Sequence, residues 1–327
     1  MNILIVNNTR IPVVHYGGTE RVIWYLGKEL ARMGHNVSYL VAAGSRCHFA
    51  RVLFIDSGKK ITDQIPEYVD IVHFNSPPDG PVKVPYLITM HGNRNDLQEL
   101  DINTVFVSAN HASRFGSNSF VYNGIDWNDY EKPLLQQPGN YFHFLGNAAW
   151  RLKNVKGAIQ VIRQIPSAKL KVMGGNRLNF RMGFRLTIHP RISFYGNVGG
   201  EKKTGLLQHS RGFLFPVKWH EPFGLAIIES LFYGCPVFGT PYGSLPELVT
   251  KEVGFLSDSS EVLATAMQQF GDYNRRYCHQ YVADNFNSFR MAAAYLKKYE
   301  TILNGLPLNT ARPRLLQVQA EKFLPWN

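Results

Sequence analysis

Residues 219–234 read WHEPFGLAIIESLFYG, and this stretch indicates the fold class. Its apolar side chains recur at the spacing of one helical face, at Leu225, Ile228 and Phe232. Pro222 is acceptable at a first helical position and Gly234 is typical of a helix end, so the stretch predicts a helix near residues 224–233. The apolar run of residues 212–216 before it predicts a buried strand. This order of strand, loop and helix is typical of a parallel α/β sheet.

The same alternation extends along the whole chain. In its first part, helical spacing begins at Thr19 and ends at Gly34, and the predicted strands are residues 3–6, 37–42, 70–74, 86–90 and 104–107. In its second part, the further predicted strands are residues 141–145, 169–173, 191–195 and 236–238, with helices near 155–163 and 201–209. We therefore predict an α/β protein with two parallel-sheet domains in tandem.

A proline-rich, weakly apolar stretch predicts the boundary between these domains. Residues 131–140 read EKPLLQQPGN, which is typical of a linker. The predicted domains are residues 1–132 and 133–288. Apolar residues at helical spacing then predict a long closing helix, and we expect residues 289–327 to pack back towards the first domain.

The composition favours a globular cytosolic protein. The chain has 327 residues, of which 45% are hydrophobic, 13% aromatic and 18% charged, and this excludes an extensively disordered or fibrous chain. Its first residues lack the basic region and long apolar core of a signal peptide. No stretch approaches the roughly 20 apolar residues of a membrane span. Three scattered cysteines suggest neither a disulfide framework nor a metal site, so we expect a reducing compartment.

The positive charge is concentrated in one segment. The chain has a net charge of +11, whereas residues 151–211 contain thirteen Lys or Arg and one acid, a local net charge of +12. Such a segment attracts phosphate-bearing partners, which include nucleotides, anionic lipid headgroups and nucleic acid. A merely solvated basic face remains the alternative.

Two carboxylates interrupt the predicted helix. With a rise of about 1.5 Å per residue, Glu221 and Glu229 lie about 12 Å apart along the axis, close to the reach from a nucleotide's ribose to a sugar beyond its diphosphate. The helix start offers backbone N–H groups to the phosphates between them. Taken alone, the pattern favours a structural explanation, with Glu221 as a helix-start acid and Glu229 as a solvated or paired side chain.

The spacing of Glu221 and Glu229, with PFGL inside it, resembles the E-x7-E signature of the retaining glycosyltransferases of family 4, in their bacterial form. Supporting segments follow in the family's order: residues 17–21 (GGTER), 91–92 (HG), 123–126 (NGID) and 156–157 (KG). The resemblance implies the GT-B architecture, two Rossmann-like domains facing across a cleft. It also implies a nucleotide-sugar donor bound mainly by the second domain, and metal-independent transfer with retention and without a cofactor.

The resemblance also implies a role for each site residue. Catalysis is assigned to Glu221, which faces the donor sugar, to His91, which contacts that sugar, and to Arg151 and Lys156, which hold the diphosphate. Trp150 stands where the family usually has a glycine. Glu229 binds the ribose hydroxyls. The remaining binding residues contribute backbone groups: Gly17, Gly18, Val198, Phe223, Gly224 and Leu225.

Two further segments are open to interpretation. Arg177, Arg181 and Arg185 form an i, i+4 series interleaved with apolar residues, which suggests a basic amphipathic stretch on an anionic membrane. An ordinary helix with a solvated arginine face explains it equally well. Residues 244–247, SLPE, are explained sufficiently as a helix capping box.

The leading hypothesis is a hexosyltransferase that moves a hexose from a nucleotide sugar to a glycan, lipopolysaccharide or glycolipid acceptor, with a lean towards UDP-glucose. Under this hypothesis we expect the protein in the cytoplasm, with the inner face of the membrane as a candidate location. Nucleic acid is then not a partner. The first alternative is a nucleotide-sugar epimerase of the same fold. The second is a basic nucleic-acid-binding protein, for which the sequence contains no recognised motif.

Overall fold

The computed structural model describes residues 1–12, 17–136, 138–180 and 182–327. The chain forms two compact units: unit 1 comprises Met1–Trp127 and Phe286–Gln319, and unit 2 comprises Asn128–Asn285 and Ala320–Asn327. Each unit contains a six-stranded sheet of parallel strands. The predicted fold class of two parallel-sheet α/β domains is therefore confirmed.

Unit 1 is built on a central apolar strand. Its strands are β1 (Asn2–Asn7), β2 (Asn36–Val41), β3 (Arg51–Phe54), β4 (Ile71–Phe74), β5 (Tyr86–Met90) and β6 (Thr104–Phe106). They lie in the order β3-β2-β1-β4-β5-β6, with Ile3 opposite both Val37 and Ile71. Because β1 has neighbours on both sides, its apolar run is buried, as expected for a parallel sheet.

The described part of unit 1 also contains three α-helices. They are α1 (Gly18–Arg32), α2 (Ala109–Arg114) and α9 (Ser288–Leu303). The apolar face of α1 is buried, and Gly34 follows the helix with φ +85°, the left-handed conformation that glycine adopts at helix ends. The closing helix α9 belongs to this unit, where the Ser288 hydroxyl donates to Glu29 at 2.8 Å and Tyr299 hydrogen-bonds His73 at 2.7 Å.

Unit 2 repeats the plan with longer connections. Its sheet has the order β11-β8-β7-β12-β13-β14. The strands are β7 (Tyr141–Leu145), β8 (Lys169–Met173), β11 (Ile192–Phe194), β12 (Phe213–Phe215), β13 (Val237–Gly239) and β14 (Gly254–Leu256). The helices are α3 (Val155–Gln164), α4 (Gly200–Gln208), α5 (Leu225–Phe232), α6 (Leu245–Leu248), α7 (Ser260–Gln268) and α8 (Arg275–Asn285). A core that includes Phe142, Ile162 and Leu263 fills the space between the sheet and the helices α3 and α7.

The unit boundaries differ from the predicted ones. The chain leaves unit 1 after Trp127, and the proline-rich residues 131–140 lie within unit 2, where the Leu134 N–H donates to Gln208. The last eight residues also belong to unit 2 rather than packing with the closing helix. They are held there by main-chain bonds, from Leu324 N–H to Lys218 O and from Ser260 N–H to Asn327 O. The proline content of residues 131–140 predicts a linker, but it does not indicate which unit these residues or the chain end bind to by hydrogen bonds.

The arginine series is not a helix. The strands β9 (Leu178–Asn179) and β10 (Arg185–Leu186) form an antiparallel hairpin instead. Arg177 is exposed, Arg185 is buried, and Arg181 lies outside the described residues. The physical reason is an apolar side chain at every second position from 178 to 188, which is the period of a strand. None of the helices in the described ranges has the length and apolar character needed to cross a bilayer.

Candidate active site

The loop after β12 holds Glu221. Helix α5 begins at Leu225, so Glu221 and Pro222 precede the helix, and the prediction of Pro222 as a first helical residue is wrong. The reason is Gly224, whose φ of +89° places it in the left-handed region just before the helix. Glu221 is therefore positioned by the loop, and only Glu229 of the two carboxylates lies on α5.

The Glu221 carboxylate is buried and paired. Its Oε2 accepts hydrogen bonds from Lys153 Nζ at 2.5 Å and from the indole nitrogen of Trp219 at 2.9 Å. The Lys153 ammonium lies 5.0 Å from the ring centroid of Phe215 and 4.9 Å from that of Trp219. The ion pair is thus enclosed by aromatic rings, which attract the cation and fix the carboxylate in one position.

Lys153 is the functional candidate that the sequence analysis missed. It belongs to the segment RLKNVK, whose other cations, Arg151 and Lys156, were selected through the family resemblance. A single 3₁₀ turn over Arg151–Lys153 directs the Lys153 side chain inward and leaves the other two exposed. The sequence signal was only the excess of cations in a short loop.

Glu229 has a similar environment on α5. Its Oε1 accepts from Lys203 Nζ at 2.6 Å and from the Tyr130 hydroxyl at 2.8 Å, and the carboxylate is buried. Lys203 lies on α4 and Tyr130 in the segment that opens unit 2. Both carboxylates of the predicted signature are therefore buried within unit 2 and face a lysine, which excludes the interpretation of Glu229 as a solvated side chain.

Arg151 and Lys156 line one cavity. They line a cavity of about 380 Å³ whose walls include Trp150, Lys218 and Phe323. The Arg151 guanidinium lies 4.9 Å from the Phe323 ring centroid, so the end of the chain covers part of this wall. The structure brings the two predicted phosphate-binding cations together, whereas Glu221 and Glu229 are not among the residues that line this cavity.

Backbone contacts fix the loop between Glu221 and α5. Ser244 donates its N–H to Glu221 O at 2.9 Å and its hydroxyl to Phe223 O at 2.7 Å. A Cβ added to Gly243 would lie 2.3 Å from the Glu221 backbone, so only glycine fits there. The capping-box interpretation of residues 244–247 is wrong, because the Ser244 hydroxyl is used by the loop and does not cap α6. Phe223 is buried, and Leu225 is half-buried at the helix start.

The predicted binding residue Val198 lies near a hydrogen bond between two glycine-containing loops. Val198 is half-buried in the loop between β11 and α4. In the same loop, Gly196 has φ +66° and accepts from the Gly174 N–H at 2.7 Å, which joins the loops after β8 and β11. These loops lie at the carboxyl ends of their strands, where open α/β sheets bind ligands.

The remaining predicted residues lie in unit 1. His91 follows β5, and its Nε2 is 2.8 Å from Asn75 Oδ1. Because the Asn75 amide nitrogen donates to Val6 O, its Oδ1 accepts, which assigns the imidazole proton to Nε2. Burial lowers the pKa of His91 to about 4, so at neutral pH the ring is uncharged and Nδ1 is an acceptor. Gly17 precedes α1 and Gly18 is its first residue.

Comparisons with known proteins agree with this architecture. Residues 126–282 match the family model described as glycosyl transferases group 1. Among curated proteins, an uncharacterized 41.2 kDa protein in the cps region of Klebsiella pneumoniae is 25% identical over 117 residues, which are 34% of this chain. The match spans about a third of the length of that relative, 32%.

Solved structures are similar to the chain over nearly its whole length. AviGT4, a glycosyltransferase involved in avilamycin A biosynthesis, has a TM-score of 0.75 at 19% identity, with 93% of this chain and 98% of that chain covered. Sucrose-phosphate synthase from Thermosynechococcus elongatus has a TM-score of 0.68 at 16% identity, covering 93% and 99%. Anabaena Alr3699/HepE in complex with UDP-glucose has a TM-score of 0.64 at 15% identity, covering 94% and 100%.

At these identities the structural likeness establishes the fold, and the family match falls on the second unit. The matched segment begins at Asp126 and ends at Val282, and it contains every site residue described in unit 2 except Phe323. Residues 126–282 thus match the group 1 glycosyltransferase family, and the chain as a whole has the GT-B fold.

Proposed function

We propose that this protein is a retaining, metal-independent glycosyltransferase of the E-x7-E type in family 4. It transfers a hexose from a nucleotide sugar to a glycan, lipopolysaccharide or glycolipid acceptor. The observation that carries the proposal is the pair of buried carboxylates, Glu221 and Glu229, each held by a lysine of the group 1 domain. A buried carboxylate is costly unless paired, so two of them, one in the loop after β12 and one on the helix that follows, favour a binding function.

Each carboxylate has a proposed partner in the donor. Glu229 accepts hydrogen bonds from the vicinal ribose hydroxyls, and Glu221 faces the sugar ring, with backbone groups at residues 223–225 beside the phosphates. Arg151 and Lys156 neutralise the charge that develops on the departing diphosphate, which is the role of a metal in other transferases. The acceptor then attacks the face from which the nucleotide leaves, and a phosphate oxygen takes the acceptor's proton.

The donor is proposed to be UDP-glucose. Its support is the similarity to Alr3699/HepE, whose structure holds UDP-glucose. A polysaccharide or lipid-linked acceptor is favoured by the matched relative in the cps region. The proposed location is the cytoplasmic face of the membrane, where such an acceptor is available.

A calorimetric titration tests the donor assignment. We expect UDP and UDP-glucose to bind more tightly than GDP and GDP-sugars. Glu229→Gln should weaken UDP binding about 10- to 100-fold, since a bond to a charged group contributes about 1.5–3 kcal/mol. Glu261→Gln, a change of an exposed carboxylate on α7, is the matched control and should leave the affinity unchanged. Equal UDP affinity of the wild type and Glu229→Gln would rule out the ribose role.

Product analysis tests the reaction class. Retention should appear as an unchanged anomeric configuration in the proton NMR spectrum of the product, and activity should persist in EDTA. A new sugar nucleotide formed without any acceptor would instead identify an epimerase.

A further inference from the structure

The hairpin of β9 and β10 separates its side chains sharply by position. Leu178 pairs with Leu186 across the hairpin, and the rings of Phe180 and Phe184 lie 5.7 Å apart. With Met182 near the turn and Ile188 beyond β10, every even position from 178 to 188 is apolar, and each is 47–78% exposed. Six exposed apolar side chains are thus concentrated on one hairpin, and soluble surfaces rarely carry such a concentration without a partner.

The odd positions hold the hairpin to unit 2. Arg185 is buried, and its guanidinium donates to Asn176 O at 2.9 Å and to the Thr187 hydroxyl at 3.2 Å. The same guanidinium lies 4.8 Å from the ring centroid of Phe194 on β11. The Thr187 N–H donates to Arg177 O at 3.0 Å. These contacts hold Arg185 on the inward face of the hairpin. The apolar side chains at the even positions are therefore exposed to solvent.

The surroundings of the hairpin are cationic. Met182, Gly183 and Phe184 line the same cavity as Arg151, Lys156 and Lys218, and no acidic side chain is among the residues that line it. Arg177 is exposed at the base of the hairpin. The apolar patch is thus bordered by positive charge, in the segment that carries a net charge of +12.

This charge selects among the partners that an apolar patch can bind. A second copy of the chain would bring the same positive segment against the first, and the like charges would repel. The interface of an anionic bilayer offers both complements: acyl chains for the apolar residues and phosphate headgroups for the cations.

We propose that the apolar face of this hairpin, residues 178–180 and 182–188, inserts into the interface of an anionic membrane while Arg177 and Lys218 contact the headgroups, which leaves Arg151 and Lys156 to the donor diphosphate. The inference deepens and rests on the proposed function, since it supplies the means by which the enzyme reaches a lipid-linked acceptor. It replaces the arginine series as the docking element, because Arg185 is turned inward and the exposed surface is apolar.

Vesicle co-sedimentation tests the proposal with the full chain. At low salt the wild type should bind vesicles of phosphatidylglycerol and phosphatidylcholine, and bind phosphatidylcholine alone much more weakly. The double change Phe180→Ser with Phe184→Ser should lower the partition coefficient at least about tenfold. Phe289→Ser, a phenylalanine of similar exposure on α9, is the matched control and should bind as the wild type does. Arg177→Gln should lower binding about fivefold, an effect that added salt removes.

A second measurement covers the case in which serine disrupts the hairpin. Phe180→Trp should be quenched by lipids with brominated acyl chains, whereas Phe289→Trp should show no added quenching over the wild type. UDP titration of the wild type and of every variant separates this proposal from the proposed function. If the wild type does not bind UDP, that result contradicts the proposed function alone. Wild type that ignores anionic vesicles, or a double variant that binds them normally, overturns the membrane proposal. A wild-type dimer that only the double variant disrupts would identify a second copy as the partner and overturn it equally.

Discussion

At the scale of single residues, the pairing of Lys153 with Glu221 couples stability to function. Both side chains are buried, with exposed fractions of 11% and 8%, so each charge depends on the other for compensation. Removing one partner of such a pair typically costs about 3–5 kcal/mol, whereas replacing both can be neutral. Stability and catalysis can therefore be separated by mutation.

The first prediction uses this separation. Glu221→Gln should destabilise unit 2 by about 3–5 kcal/mol, because it leaves the Lys153 ammonium buried without a counter-charge. Adding Lys153→Met should restore much of the lost stability, and transferase activity should stay absent in both variants. Urea denaturation together with a donor-consumption assay measures the two effects. Recovery of activity in the double variant would mean that Glu221 serves only to neutralise Lys153.

At the scale of elements, the start of α5 depends on one glycine. Gly224 has φ +89°, and a Cβ added there would lie 2.8 Å from Ile227 Cδ1 and 3.3 Å from Glu221 Cγ. Both contacts involve side chains that the site or the core uses. The loop that holds Glu221 therefore depends on the absence of a side chain at Gly224.

The second prediction compares two glycines of matched conformation. Gly224→Ala should reduce UDP-sugar turnover strongly, because the new methyl group displaces Glu221 in addition to the cost of about 1–2 kcal/mol for a left-handed alanine. Gly34→Ala has nearly the same φ, +85°, with no atom within 4 Å of the added Cβ, so it should show the conformational cost alone. Turnover and thermal unfolding of both variants give the comparison. Equal losses of activity would indicate that the backbone strain, and not the displaced carboxylate, is responsible.

The same elements show what the sequence could predict. Apolar runs such as residues 141–145 and 86–90 form strands at the predicted positions. Strands of a parallel sheet are buried on both faces, so an almost continuous apolar run is their typical sequence pattern. The helix predicted near residues 224–233 is observed at Leu225–Phe232, but Pro222 lies outside it because Gly224 is left-handed. Lys153 could not be chosen over its neighbours, since a single 3₁₀ turn decides which cation faces inward. The arginine spacing in this segment favours a helix, whereas the period-2 alternation of its apolar residues indicates the strands that form the hairpin.

At the scale of the whole molecule, both units contain buried histidines that are neutral in the folded state. Burial lowers the pKa of His73 and His111 in unit 1, and of His143 in unit 2, to about 3. In the unfolded chain their pKa returns to about 6.5. The unfolded chain therefore takes up protons between about pH 6.5 and 3 that the native chain does not, and stability is lost as the pH falls through this window.

The third prediction follows from that uptake. At pH 5 each of these histidines should lower the free energy of unfolding by about 2 kcal/mol relative to pH 7.5. His143→Gln should flatten the pH dependence for unit 2 by about one proton. Urea titrations between pH 5 and 7.5 measure the slopes. An unchanged slope for His143→Gln would show that this histidine is not the group that titrates.

The path of the chain has a consequence for engineering. It passes from unit 1 to unit 2 after Trp127, returns at Phe286, and enters unit 2 again at Ala320, where the final residues hydrogen-bond to Lys218, Asp258 and Ser260. A chimera made at a single junction near residue 128 would import a foreign closing helix together with the new unit 2. Exchanging unit 2 between related proteins therefore calls for a graft of two segments, residues 128–285 and 320–327, around a retained α9.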